Sequence, residues 1–370
     1  MLPGSLPDLV TQFSRREAKD AEAYPAQNVS DLYGAAIPAM PLARALGGMG
    51  ATLSDAVEAV EAIAAVSPST ALLLSMPLGL AGIYALGEEI APAEHREAWS
   101  AQIDRVASDF RAGKIYAACN SEKGAGGSLD ATRTSAHRRG DGVFQLDGEK
   151  ILASFGRYAD YFFSTAKVAQ SDLPGAGVVE LFIVPAKATG VRILDDWDGF
   201  GMRPTESQTV VYEGAQSSFM LGFPNFIARV QPLQYWFCLF AAIPLGCASA
   251  LVRALATPAP AGPALRAKLN EAWMRYEAAR AYLLETAGGW RPAAGAAYAA
   301  RVLRTKTYVT AEATKLCAEM FALTGGRHYR RSSAISRIFA DSFAGTSLRP
   351  PLPLALEMLV ENFRLDDAWR

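Results

Sequence analysis

The chemistry in this chain starts with a short loop. Residues Ala117-Ala118-Cys119-Asn120-Ser121-Glu122-Lys123-Gly124-Ala125-Gly126-Gly127-Ser128 carry an apolar run into a turn rich in glycine and serine. Glycine lets backbone N–H groups approach a ligand closely, and serine adds a donor, a set that suits phosphate or ring carbonyl oxygens. A solvated hairpin loop has the same composition, and the residues alone leave both readings open. Other reactive side chains are dispersed. Cys119, Cys238, Cys247 and Cys317 lie far apart, with no Cys-x-x-Cys pair, and read as buried thiols of a reducing compartment rather than a disulfide frame or zinc site. His95, His137 and His328 are scattered as well, so no histidine metal site is expected.

The elements that must hold this loop fall into three tracts. The chain has 370 residues, 51% hydrophobic and 20% charged, an ordinary globular composition that can bury a large core. Its 36 basic and 37 acidic residues are balanced, so the electrostatic footprint of a nucleic-acid binder is missing. No basic region leads an apolar core at the start, and the apolar run from Ala71 to Ile83 is too short to span a bilayer. The expectation is a cytoplasmic protein without a membrane anchor.

Residues 1–112 read as a helical domain. Thr52-Leu53-Ser54-Asp55 is a capping box, and Val57, Val60 and Ala64 follow on one helical face. Further helices follow Pro68-Ser69-Thr70 and Pro92. Residues 113–222 change to a strand period. Thr132 to Ala136 reads as a strand, and Asp147-Gly148 predicts a tight hairpin turn between Val143–Leu146 and Lys150–Ser154. Gly140-Asp141-Gly142 marks the turn before it, and Tyr158–Val168, Val178–Pro185 and Gln208–Tyr212 complete a small antiparallel barrel or sandwich. Residues 223–370 return to helix as a four-helix bundle: Phe226–Ala256, Leu265–Ala287 and Ala300–Leu323, with a proline-rich turn at Thr257–Pro263. Gly325-Gly326 reads as a C-cap and Ser332-Ser333 as the next start. The fold class is α+β, mostly helical.

In that order the residues resemble the acyl-CoA dehydrogenase superfamily of flavoproteins over nearly the whole chain. Leu46 to Gly50 resembles its Gly-Gly-x-Gly, Ser121 to Ser128 its Thr-Glu-Pro-x-Ala-Gly-Ser-Asp loop, and Leu146-Asp147-Gly148-Glu149-Lys150 its Leu-x-Gly-x-Lys hairpin. Gly201-Met202-Arg203-Pro204-Thr205 is similar to its Gly-Met/Leu-Arg-x-Thr, and Gly325-Gly326 with Arg337 to Asp341 to its Gly-Gly and Arg-x-x-x-Asp pair. The resemblance implies FAD between the β-domain and the bundle, held by Ala118, Asn120, Ser121, Gly126, Gly127, Ser128, Leu152, Ser154, Gly325 and Gly326. The Ser154 hydroxyl would approach the reactive edge of the ring, where donors stabilise charge on a reduced flavin; its bland role is a strand-end hydroxyl bonded to its own backbone.

The departures bear on the reaction. Family dehydrogenases use a carboxylate to take the α-proton of an acyl thioester while hydride leaves for the flavin. The resemblance puts Arg349 at the C-terminal base position and Trp236, with Phe237 beside it, at the alternative one before Ile243-Pro244-Leu245-Gly246. Arginine stays protonated and cannot be a base. Glu122, Glu206 and Glu357 are the carboxylates to test instead. The family's Arg-x-x-Phe-Gly contact would fall at Ala256 to Ala264, where the chain is short, and Ala322 stands for its glutamine. Arg327 to Arg331 could meet a phosphate or be a solvated basic loop. The function expected from the resemblance is a dehydrogenase oxidising the Cα–Cβ bond of an acyl-CoA or other thioester and passing electrons to an acceptor such as an electron-transfer flavoprotein; the alternatives are a flavin monooxygenase of the same fold and a non-catalytic member. The bundle implies a homodimer or homotetramer.

Overall fold

The computed structural model describes residues 4–140, 143–257 and 262–361. Five helices come first: α1 (Leu6–Glu17), α2 (Ala26–Gly34), α3 (Leu53–Ala64), α4 (Pro68–Tyr84) and α5 (Arg96–Arg111). The start of α3 is the capping box that the sequence predicts. The Thr52 hydroxyl accepts from Asp55 N–H at 3.2 Å, and the Asp55 carboxylate accepts from Thr52 N–H at 2.9 Å. Helix α4 is apolar all round, and every one of its residues is buried, so it runs through the core rather than over it.

The strands are β1 (Tyr116–Ala118), β2 (Ser135–Arg138), β3 (Phe144–Ala153), β4 (Tyr161–Val168), β5 (Glu180–Pro185), β6 (Val191–Ile193), β7 (Gln208–Gln216) and β8 (Phe219–Met220). They form one curled sheet in the order β6-β7-β3-β2-β4-β5-β8, with β1 pairing to β4. The sheet is mixed, because β1–β4 and β2–β4 run parallel while the other pairs are antiparallel. The Asp147-Gly148 pair does not turn the chain. Strand β3 passes straight through it, and the irregularity appears as a register shift against β7 between Leu146 and Gly148. Gly148 sits at φ +150°, and a Cβ there would lie 2.5 Å from the Thr134 hydroxyl. The glycine serves a bulge and a close crossing, which sequence reads as a hairpin signal. The strand expected from Thr132 begins at Ser135, since the N–H groups of Arg133 and Thr134 are taken by Glu122.

The remaining helices are α6 (Phe226–Val230), α7 (Leu233–Ala256), α8 (Pro263–Gly288), α9 (Ala296–Ala322), α10 (Ala334–Ser342), α11 (Ala344–Ser347) and α12 (Leu352–Glu361). The run from Phe226 to Ala256 is broken where Gln231 takes φ +55° ahead of Pro232. Helix α7 is long and apolar enough to cross a bilayer by composition, yet it is the central core helix, packed against α3, α4, α8, α9 and α10. Helix α9 ends on Leu323, and Gly325 and Gly326 open a short 3₁₀ turn instead of capping it. Ser333 does occupy the N-cap of α10. The expected turns at Gly140-Asp141-Gly142 and Thr257–Pro263 lie partly outside the described residues.

Candidate active site

Two strand ends and a C-terminal segment bring polar groups to one cavity. The chain leaving β1 supplies Ala118, Asn120 and Ser121, and the end of β3 supplies Leu152 and Ser154. The two are joined by Ile151 N–H donating to the Ser121 carbonyl at 2.8 Å. Opposite stand Met76 of α4, Phe163 of β4, and Trp236, Phe237 and Phe240 of α7. Ser347 at the end of α11, with Leu348 and Arg349 after it, closes the rim. Thus Ala118, Asn120, Ser121, Leu152, Ser154, Trp236 and Arg349, all marked in the sequence, converge on one place. Gly126, Gly127, Ser128, Gly325 and Gly326 do not line it. At Gly127 a Cβ would lie 2.5 Å from Pro351 Cδ, so that glycine lets the loop dock on the C-terminal segment. Around Gly325 and Gly326 there is open space.

The carboxylates proposed as bases do not reach the cavity. Glu122 is locked beneath the loop: it accepts from Arg133 N–H at 2.7 Å, Thr134 N–H at 3.1 Å, the Thr134 hydroxyl at 2.7 Å and Lys150 Nζ at 2.6 Å. Burial disfavours its charge, but Lys150 and Thr134 overrule burial and hold its carboxyl down to about 2. Such an acid is too weak a base to take a carbon-bound proton. Glu206 pairs with the exposed Arg157 at 3.2 Å, and Glu357 lies exposed on α12. Among the described residues lining the cavity there is no Asp, Glu, His, Lys or Tyr.

Hydroxyls fix the polarity of the site. The Thr205 hydroxyl donates to the Met202 carbonyl at 2.7 Å, which uses its proton. The Ser207 hydroxyl, 2.7 Å away, must then donate to Thr205, and the Ser154 hydroxyl must donate to Ser207 at 3.0 Å. Ser154 therefore presents lone pairs to the cavity, as an acceptor rather than the donor that sequence suggests. Asn120 is the complementary group. Its carboxamide oxygen accepts from Thr165 N–H at 2.9 Å, which leaves its NH₂ as the donor.

Arg349 is held from behind. Lys306 of α9 is buried, and its ammonium donates to the carbonyls of Gly345 at 3.0 Å, Leu348 at 2.8 Å and Pro350 at 2.6 Å. Burial pushes the Lys306 pKa down to about 7, while the three carbonyls replace the water its charge has lost. Arg349 donates to the Asn120 carbonyl at 3.2 Å, and its Nη1 is buried without an acceptor among the described residues. Burial pulls the Arg349 pKa down to about 10 and Glu122 opposes that shift. Neither Ser207 nor Lys306 is marked by sequence reasoning. Lys306 carries a usable signal, a lone cation on the face of α9 that also holds the buried Val302, Val309 and Ala313.

The family models for the acyl-CoA dehydrogenase middle domain and C-terminal domain match residues 117–215 and 239–348, more than half of the chain together. The chain belongs to the acyl-CoA dehydrogenase superfamily. Within that superfamily it is 30% identical to an L-evernosamine nitrososynthase of Micromonospora sp. over 58% of this chain and 48% of that protein. It is 30% identical to a dibenzothiophene monooxygenase of Rhodococcus erythropolis over 53% of this chain and 44% of that protein, so these matches span about half the length of each relative. A match to the Probable acyl-CoA dehydrogenase YngJ of Bacillus subtilis covers 90% of both chains at 23% identity. Among solved structures, KijD3 in complex with FMN and a dTDP-linked amino keto sugar superposes with a TM-score of 0.82 at 21% identity, covering 99% of this chain and 95% of that one. Butyryl-CoA dehydrogenase from Megasphaera elsdenii gives 0.79 at 19%, covering 98% of each. The superfamily fold is thus shared with dehydrogenases and oxygenating enzymes alike.

A larger cleft of about 780 Å³ lies elsewhere, between α1, residues 198–204 and α10. Within it Glu22 pairs with Arg203 and Arg331, and Asp341 accepts from Met202 N–H. The smaller cavity is the better reaction site because donors, an acceptor and apolar faces meet there.

Proposed function

We propose that this superfamily member is a flavin-dependent monooxygenase-type oxidoreductase acting on a small, largely apolar substrate. The observation that carries the reading is a cavity with aromatic walls and no carboxylate or other base among the described residues of its lining. Removing a proton from carbon needs such a base, whereas oxygen transfer from a reduced flavin does not. Similarity to a nitrososynthase and a dibenzothiophene monooxygenase supports the same direction. The likeness to the Probable acyl-CoA dehydrogenase YngJ over 90% of both chains favours a second reading, oxidation of an acyl thioester.

The donor set fits a flavin ring. The apolar walls suit its faces, the Asn120 NH₂ and Ser121 suit its oxygens and ring nitrogens, and the Ser154 lone pairs suit a ring N–H. When bound, FMN or FAD would supply electron-transfer and oxygen-activating chemistry. The protein's own part is to orient that ring through Asn120, Ser121 and Ser154 and to exclude water with Trp236, Phe237 and Phe240. A homodimer or homotetramer in the cytoplasm belongs to the same proposal.

The test is an absorption titration of the purified chain with FMN and FAD, oxidised and reduced, followed by product analysis. Flavin that binds when reduced and places ¹⁸O from labelled oxygen in indole or dibenzothiophene supports oxygenation. Anaerobic bleaching by a panel of acyl-CoAs would replace it with the dehydrogenase reading. Failure to bind any flavin refutes both.

A further inference from the structure

The cavity carries a charge that its own walls do not neutralise. Lys150 and Glu122 form a buried ion pair at 2.6 Å, and Glu122 spends its remaining acceptor capacity on Arg133 and Thr134. Arg349 adds a second cation close enough to feel that carboxylate and to disfavour the charge on Lys150. Among the described residues its own partner is the neutral Asn120 carbonyl, and its Nη1 has none. Lys150 thus has a carboxylate within ion-pair distance, whereas Arg349, half-buried at the cavity, has none among the described residues. An excess charge there is strongly disfavoured until an anion meets it. Beside it the wall is apolar and aromatic, with Phe163 and Trp236 ring centroids 5.5 Å apart and Phe237 and Phe240 adjoining.

We propose that Arg349 is an anion subsite that pairs with a carboxylate or similar oxyanion at one end of an otherwise apolar, ring-sized substrate. A guanidinium offers its N–H donors as a planar fork matched to two oxygens, which a lysine would not. The inference rests on the cavity being the substrate site and narrows that reading to acidic substrates. A bound flavin is the other source of an oxygen for this cation, and the test separates the two.

The test is calorimetric titration of the full chain, with and without FMN. Phenylacetate and benzoate are compared with their neutral partners, 2-phenylethanol and benzyl alcohol. Wild type should prefer each anion by about 10-fold or more, as expected for one charge-assisted contact. Arg349→Gln, which removes the charge and keeps a polar side chain, should abolish that preference and leave FMN affinity within about 3-fold. Nitrate, a planar anion, should displace phenylacetate from wild type but not 2-phenylethanol, which keeps the proposal testable if the variant does not fold. Equal binding of anions and neutral partners, a preference that survives Arg349→Gln, or no nitrate competition would each overturn it. So would a large loss of FMN affinity with anion binding intact, which would assign the cation to the flavin. Because the anion preference is also read on flavin-free protein, it stands or falls separately from flavin binding.

Discussion

A hydroxyl at a cavity rim can give a proton or accept one, and its neighbours decide which. For Ser154 the decision is made two residues away in space, where Thr205 donates to the Met202 carbonyl and forces Ser207 and then Ser154 to donate in turn. Residue type and strand position mark Ser154 in the sequence, but nothing in Thr205-Glu206-Ser207 announces a relay. Legibility fails there because the chain of hydroxyls joins the end of β3 to the turn before β7, a contact set by folding. The same holds for Glu122, whose acidity is legible while the Lys150 ammonium that removes its basicity lies 28 residues on. If the relay acts as a unit, Ser154→Ala and Ser207→Ala should not add. Urea unfolding of both single variants and the double should show a coupling of about 0.5–1.5 kcal/mol. Additivity within about 0.3 kcal/mol would mean the hydroxyls are independent and the polarity of Ser154 is unfixed.

At the scale of elements, the cavity wall is made by two core helices that meet through missing side chains. Helix α4 presents Gly79 and Gly82, one turn apart, and α7 fills the notches with Trp236 and Tyr235. A Cβ on Gly79 would lie 2.1 Å from Trp236 Nε1, and one on Gly82 2.2 Å from the Tyr235 ring. Trp236 is held in its notch by donating to the Met76 carbonyl at 3.3 Å. Both helices are legible in sequence as apolar runs, although α4 starts at Pro68 itself and not after Thr70. The notches are not, because a glycine in a helix reads as a weak point until its partner is known. Gly79→Ala should destabilise the protein by about 1–3 kcal/mol through overpacking, despite the better helix propensity of alanine. It should also move Trp236, read as a shifted tryptophan emission and a weaker response to phenylacetate. A variant as stable as wild type with unchanged emission would show that the wall yields without cost.

Over the whole molecule, helices from both ends of the chain and a loop of the sheet are tied together at the larger cleft by charge. Glu22, after α1, accepts from Arg203 at 2.8 Å and Arg331 at 3.4 Å, while Asp341 of α10 accepts from Met202 N–H at 2.6 Å. The Arg203 and Asp341 motifs are visible in the sequence, yet their separation of more than a hundred residues hides that they form one junction. The exposed ion pairs contribute little in salt. Asp341 differs, because it is half-buried in the cleft lining and accepts a backbone N–H. Burial raises its pKa to about 7, against the Met202 N–H, which favours the charged form. In the unfolded chain the same carboxyl titrates near 3.9. Between about pH 4 and pH 7 the folded protein therefore holds a proton that the unfolded chain has released, and this group's contribution to stability falls as pH rises through that window. Asp341→Asn keeps an acceptor for Met202 N–H and removes the titration, so the variant should lose this downward slope. Thermal unfolding of wild type and variant at pH 5 and pH 8 checks it. The gap between them should widen in favour of the asparagine variant at pH 8, and an equal gap at both pH values would mean Asp341 is ionised throughout and the junction is held by its charge.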